Sequence, residues 1–395
     1  MSHLEYNPFA YEIHDDPYPT YARLREEAPV YHNAELDFWA LSRHADALAA
    51  LRDTERFTNT HGVSVERSAS HPAAHLAMSF LGMDPPRHTQ MRALVSRGFT
   101  PRRVAALEPR IREMAVAALE RMRARGRSEF IGDLAGVLPM DVISELLGVP
   151  SPDRAELRLH AELLVHREEG VFDVPRAAAE AFGKIWNYFA ERIDERRRAP
   201  KEDLISALLA AEIDGQRLSQ VDIQSFCNLM IVAGNETTTK LLANALYWLW
   251  RNPDQRKGLR DDPTRIARWV EETLRFDSST QAIGRVTIRA LTLHGVEIPA
   301  GKRVLVLIGS ANRDERAFPR ADAYDVERDT SSMLSFGHGA HFCLGAALAR
   351  LEARTVLEEF WKRFPDYEVE PDGCARIHSV SVRGFAALPL ELRNG

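Results

Sequence analysis

The sequence predicts a mainly α-helical fold carrying small β-sheets. Three observations point there. Long stretches are rich in strong helix formers and carry apolar residues at helical spacing. Strand-like alternation is confined to short runs near residues 30–41, 282–308 and 366–390. The 395 residues contain no low-complexity linker, internal repeat or sharp composition boundary, so the chain reads as one domain over 1–395.

The elements follow in order. Residues 17–28 and 44–53 form early helices, and Val30-Tyr31-His32 and Phe38-Trp39-Ala40-Leu41 form a strand pair between them. Residues 57–83 have little periodicity and scattered Gly, Ser and His, which predicts a long loop. Helices are expected over Arg87–Arg97, Pro101–Arg125, Met140–Leu147 and Ala177–Arg198. Another starts at Asp203–Ala211 and stops at the turn Asp214-Gly215. Ser219-Gln220-Val221-Asp222 has the form of a capping box and opens a helix running to Trp250, which Asn252-Pro253 ends. A helix over 264–276 follows. Residues 282–308 alternate as strands, broken at His294-Gly295 and Pro299-Ala300-Gly301. The tail, 366–390, reads as irregular β.

Bulk properties narrow the function. A net charge of −6 argues against nucleic acid as a main partner, and 45% hydrophobic residues suffice for a large core. Three widely spaced cysteines, Cys227, Cys343 and Cys374, suit a reducing cytoplasm better than a disulfide framework. No basic, apolar leader opens the chain and no uncharged apolar run reaches spanning length, so a cytoplasmic protein without a membrane anchor is expected.

Chemistry concentrates in Phe336-Gly337-His338-Gly339-Ala340-His341-Phe342-Cys343-Leu344-Gly345. Glycines loosen this loop, and a helix follows at once. A thiol at a helix N-terminus meets unpaired N–H groups and the positive end of the dipole, which favours its thiolate. By itself Cys343 is open to three readings: a small buried hydrophobe, a nucleophile, or a metal ligand. Halfway along the longest helix lies the cluster Ala233-Gly234-Asn235-Glu236-Thr237-Thr238-Thr239. A solvent-facing patch is one reading, although the flanks Leu229-Met230-Ile231-Val232 and Leu241-Leu242 are apolar. Glu272 and Arg275 fall at i and i+3 on one helix face, as many surface pairs do.

Phe336, Gly339, Cys343 and Gly345 form Phe-x-x-Gly-x-x-x-Cys-x-Gly, which resembles the haem-binding loop of the cytochrome P-450 family. The likeness extends from Asn7-Pro8-Phe9 to Val382-Arg383-Gly384-Phe385 and is nearest to soluble bacterial members. It implies the cytochrome P-450 fold, with haem b held between the long central helix and the cysteine loop. Cys343 would ligate the iron. Gly234-Asn235-Glu236-Thr237 resembles the oxygen-binding turn: Gly234 would open a groove for dioxygen, Thr237 would hold it, and Glu236 would relay protons. Family peroxygenases commonly carry Arg-Pro instead of this acid–alcohol pair, so the likeness is to an electron-fed monooxygenase. Glu272, Arg275 and Arg328 match the family's structural clamp, and His88, Arg92, Arg285 and His341 its propionate ligands.

The same resemblance implies a lipophilic small-molecule substrate, hydroxylated or epoxidised. Its contacts would include Phe80, Leu81, Val232, Ala233, Asn235, Gln281, Ile283 and Val380. The chain carries no Gly-x-Gly-x-x-Gly, so electrons are expected from a separate ferredoxin or flavodoxin with its NAD(P)H-dependent reductase. Arg102, Arg103, Arg112, Arg350 and Arg354 form a candidate basic docking patch on the cysteine side, with solvated charge as the other reading. One departure stands out: where relatives carry a proline after the clamp helix, this chain reads Phe276-Asp277-Ser278-Ser279-Thr280-Gln281.

Overall fold

The computed structural model describes residues 4–213 and 215–393. Its axis is the helix Gln220–Arg251, 32 residues and therefore about 48 Å long. Ser219 caps it by accepting from the Asp222 N–H, while Asp222 accepts from the Ser219 N–H. The helix stops at Asn252, and Pro253 opens the next one, Pro253–Asp261. It is buried on nearly every side because Leu138–Leu147, Arg154–Val165, Arg176–Arg198, Ile266–Phe276 and Ala346–Arg363 all pack against it.

A five-stranded sheet lies to one side, in the order Val30–Asn33, Phe38–Leu41, Arg303–Leu307, Ala282–Thr287 and Phe57–Thr58. Arg303–Leu307 runs parallel to Phe38–Leu41, and the other neighbours run antiparallel. Apolar side chains alternate between its two faces, so it buries one cluster on each. Trp39, Leu41, Val304 and Val306 fill one; Phe38, Ala40, Leu305 and Leu307 fill the other.

Several expected elements differ in detail. The stretch 57–83 holds the short strand Phe57–Thr58, a helical turn His75–Met78 and a 3₁₀ turn Ser79–Gly82, too short to leave a periodic pattern. The helix expected over Pro101–Arg125 breaks into Pro101–Ala105 and Glu108–Arg125 around Ala106-Leu107, with Pro109 in the first turn of the second. Asp203 caps Leu204–Leu209 rather than lying inside it. Of the turn that follows, Asp214 lies outside the described residues, and Gly215 has the left-handed φ of 78°. No helix among the described residues is long and apolar enough to cross a membrane.

Candidate active site

The cysteine loop is built from turns that need glycine. Gly337 and Gly339 have φ of 68° and 71°, and a Cβ on Gly339 would lie 3.0 Å from the Leu51 carbonyl oxygen. The Cys343 N–H donates to the Phe336 carbonyl at 2.8 Å, which closes the loop. The helix Ala346–Arg363 starts immediately after Gly345. Cys343 is exposed at the residue level, with protein close around its side chain. Burial raises its pKa, outweighing the N–H groups of Gly345 and Ala346 and the charges of Arg92 and Arg350. The helix terminus alone therefore does not make the thiolate the favoured form. Coordination to a metal cation deprotonates such a thiol outright.

Four basic side chains gather, and among the described residues none of them forms an ion pair with a carboxylate, although the Asp84 charge reaches His88 and Arg285. His88 and His341 lie with ring centroids 4.1 Å apart, and none of their four ring nitrogens has a hydrogen-bond partner. Burial pushes His341 down to about 3, with His88, Arg285 and Arg92 adding to the shift. Burial likewise lowers Arg285 to about 10, opposed by the Asp84 charge. The Arg285 guanidinium donates to its own neighbour's carbonyl, Gly284, and Arg92 donates to the Phe342 carbonyl. Buried basic groups without counter-ions are costly unless an anion joins them. A Cβ added at Gly345 would meet nothing within 4 Å, so space lies open beside the thiol. A flat, dianionic iron porphyrin fits this set. Cys343 would hold its metal, while His88, Arg92, Arg285 and His341 would hold its carboxylates.

The central helix presents the other uncovered surface. Ala233 is exposed and Thr237 half-buried in the middle of an otherwise buried helix. Thr237 Oγ1 donates to the Ala233 carbonyl at 2.8 Å, the one-turn back-bond that bends helices. A Cβ on Gly234 would touch Ile143 on Leu138–Leu147 at 3.4 Å, so the glycine faces a neighbouring helix. Glu236 is wholly buried, with Lys240 Nζ 3.3 Å from one oxygen and Asn235 Nδ2 donating to the other at 3.0 Å. At 100° per residue, acid and alcohol leave the helix on different sides.

The remaining expected residues divide. Phe80 packs on Phe226 and His88, and Leu81, Val232 and Ile283 are half-buried. Three further residues of that set are packed within the protein. Asn235 is buried against Glu236, and Gln281 is turned back to the Ser278 carbonyl and pressed on Gly309. Val380 packs in the cluster of Tyr6, Phe9 and Phe38. Glu272 holds Arg275 through two bonds of 2.7 Å and lies 3.4 Å from Arg328 Nε, all three buried. Of the five arginines expected to form a docking patch, Arg112, Arg350 and Arg354 are tied to Glu108, Glu271, Glu358 and Glu359. Arg102 and Arg103 stay exposed on the short helix that packs against the cysteine helix.

Lys240, the buried partner of Glu236, escaped the sequence reading. The i, i+4 spacing of Glu236 and Lys240 inside an apolar helix was the available signal, since two charges so placed must be paired.

The comparisons with known proteins show the family. The cytochrome P450 family profile matches residues 173–374. A Mycobacterium bovis cytochrome P450 numbered 123 is 50% identical over 391 residues, covering 99% of this chain and 97% of that one. The vitamin D(3) 25-hydroxylase of Pseudonocardia autotrophica is 39% identical, covering 98% and 96%. A Bacillus megaterium cytochrome P450 solved in complex with testosterone superposes with a TM-score of 0.89 at 30% identity, covering 97% and 100%. The chain belongs to the cytochrome P450 family. It is a haem-binding monooxygenase that incorporates oxygen from dioxygen, and it has the cytochrome P450 fold.

Proposed function

We propose that this monooxygenase places one oxygen atom in a lipophilic small molecule, by hydroxylation or epoxidation. Electrons would come from a separate ferredoxin or flavodoxin with its reductase. One observation carries the reading: an exposed Cys343 thiol in a glycine-built loop, and an exposed Ala233 with a half-buried Thr237 midway along an otherwise buried helix. Haem bound at Cys343 supplies the oxygen-activating chemistry.

The chain's own residues do the rest. Phe80, Leu81, Val232, Ala233 and Ile283 offer apolar surface to an apolar substrate and keep water out. Thr237 offers a half-buried hydroxyl on the central helix, and Glu236 a carboxyl one residue away for proton supply. Arg102 and Arg103 supply the free positive charge on the cysteine side that an acidic electron carrier needs. The names of two relatives, a vitamin D(3) hydroxylase and a testosterone complex, agree with a polycyclic lipophilic substrate.

The test is the spectrum of the dithionite-reduced, haem-loaded protein under carbon monoxide. A strongly red-shifted Soret band that returns to the ordinary position in Cys343→His is expected. Added testosterone or a secosteroid should then shift the iron spin state, and glucose should not. A Soret band at the ordinary position in the wild type points to a haem sensor. No Soret band at all revives a thiol nucleophile.

A further inference from the structure

An open cleft of about 660 Å3 lies between the segment 58–70 and the strands Ala282–Thr287 and Arg303–Leu307. Cys343, His88, Arg92, Arg285 and His341 do not line it, so it is separate from the haem site. Its volume is that of a small-molecule site. Arg67 and Arg303 both line it. Arg67 is exposed and, among the described residues, its side chain forms no hydrogen bond or ion pair. Arg303 is half-buried and donates only to carbonyls, those of Val65, Leu36 and Asp37. Burial, then the Arg67 charge, lowers the Arg303 pKa, and the charges of Asp37, Asp173 and Glu66 oppose that without reversing it.

Two guanidiniums in one cleft, neither paired with a carboxylate, match an anion. We propose that this cleft binds the phosphate monoester of a small organic molecule, with Arg67 and Arg303 on the phosphate. Nothing in this site depends on the monooxygenase chemistry.

A phosphate suits the cleft better than a carboxylate. One guanidinium fork takes two anion oxygens, and a phosphate has a third for the other guanidinium or a hydroxyl. The Thr60 and Ser70 hydroxyls line the same cleft, and the Ser70 hydroxyl has no hydrogen-bond partner among the described residues. Val286 and Ile288, the latter 49% exposed, add an apolar strip for the organic part. The two carboxylates of the lining are engaged elsewhere. Lys302 Nζ lies 3.1 Å from Asp37, and Asp84 accepts from the Asn59 N–H and the Thr58 hydroxyl.

The loop that carries Arg67 is already held in place. The Ser70 N–H donates to the Arg67 carbonyl at 3.2 Å. On either side, Glu66 pairs with Arg167 and the Ser68 hydroxyl donates to Asp173. Little backbone order is then left to impose when a ligand binds.

Calorimetric titration of the haem-loaded protein tests this, because there the haem carboxylates, not the probe, engage His88, Arg92, Arg285 and His341. The probes are hexyl phosphate, inorganic phosphate and hexanoate. One hexyl phosphate site is expected, with both other probes weaker and inorganic phosphate competing. Arg67→Gln should weaken hexyl phosphate by about tenfold or more, and Arg67→Lys should fall between it and the wild type. Ser70→Ala should lose less. Arg303 is tied to three carbonyls, so Arg303→Lys, which keeps the charge and removes the fork, probes the second guanidinium and should also weaken binding. Arg121→Gln, at an exposed position on Glu108–Arg125 outside the cleft, should bind as the wild type does. Haem content should be equal in the wild type, Arg67→Gln and Arg121→Gln. No hexyl phosphate binding at millimolar concentration, or equal affinity in Arg67→Gln, overturns the site. An equal loss in Arg121→Gln shows attraction to general surface charge and overturns it as well. Hexanoate bound as tightly as hexyl phosphate overturns the phosphate assignment, and inorganic phosphate bound as tightly overturns the monoester.

Discussion

Glu352 shows how far one residue can depart from its habits. It lies in the cysteine helix, 2% exposed, with no hydrogen bond to either oxygen, and burial pushes its carboxyl up to about 8. The folded state keeps a proton that the unfolded chain releases near 4.5. Its contribution to stability is therefore complete below 4.5 and is lost as pH rises through 8. By pH 7 the loss amounts to about 3 kcal/mol. Glu352→Gln should remove this decline, so that wild type and variant diverge between pH 5 and pH 8 in urea unfolding. Parallel stability curves would show that Glu352 does not titrate in this way. Nothing in its sequence context marks it, because Leu351-Glu352-Ala353-Arg354 reads as an ordinary helical surface.

At the scale of elements, the helix Ile266–Phe276 has a buried ionic tip. Glu272 accepts two bonds from Arg275, one from the Asp325 N–H, and lies beside Arg328. Arg275 also donates to the carbonyls of Asn312, Ala321 and Ala323, which fixes the whole segment leading to the cysteine loop. Removing the carboxylate leaves two buried guanidiniums facing each other, a loss of about 3–5 kcal/mol. Glu272→Ala should give protein with little haem and an early melt, read from the haem-to-protein absorbance ratio and the unfolding curve. Full haem content with an unchanged melt would contradict that. The central helix teaches a related lesson. Its cap and its end were legible, because Ser219, Asp222 and Pro253 act locally. Which way its polar cluster points was not legible. Gly234 faces Ile143, and Asn235 faces Glu236.

At the scale of the molecule, Asp277 ties distant parts of the chain together. It accepts from Tyr18, Trp248 and Arg383 and pairs with Arg376, so the N-terminal, central and C-terminal segments meet on one carboxylate. Burial alone would raise its pKa, but Arg383, Arg376 and the two aromatic donors outweigh that and hold it well below the carboxylate range. Its stabilisation is present above the ordinary carboxylate value and lost as pH falls through the depressed one. Asp277→Asn should lose about 3–5 kcal/mol at pH 7 and show a weaker acid dependence. Denaturant unfolding at pH 7 and pH 4 measures both, and equal midpoints at pH 7 would remove the hub role. The segment Phe276–Gln281 is a charged anchor, and only the arrival of Arg376 and Arg383 from a hundred residues away makes it one.

The sequence by itself determined the helical class, the strand pairs, the capping of the long helix and the Cys343 loop. These depend on period, propensity and glycine geometry, which act over a few residues. The tertiary structure alone decided which polar groups meet. His88 and His341 converge across 252 intervening positions, and Arg112, Arg350 and Arg354 are neutralised by acids from other segments. Lys240 pairs with the buried Glu236 one turn earlier on the same helix, and Val380 turns into an N-terminal cluster. The reason is physical: burial and pairing are properties of three-dimensional neighbours, and a charge's role follows from its surroundings more than from its type.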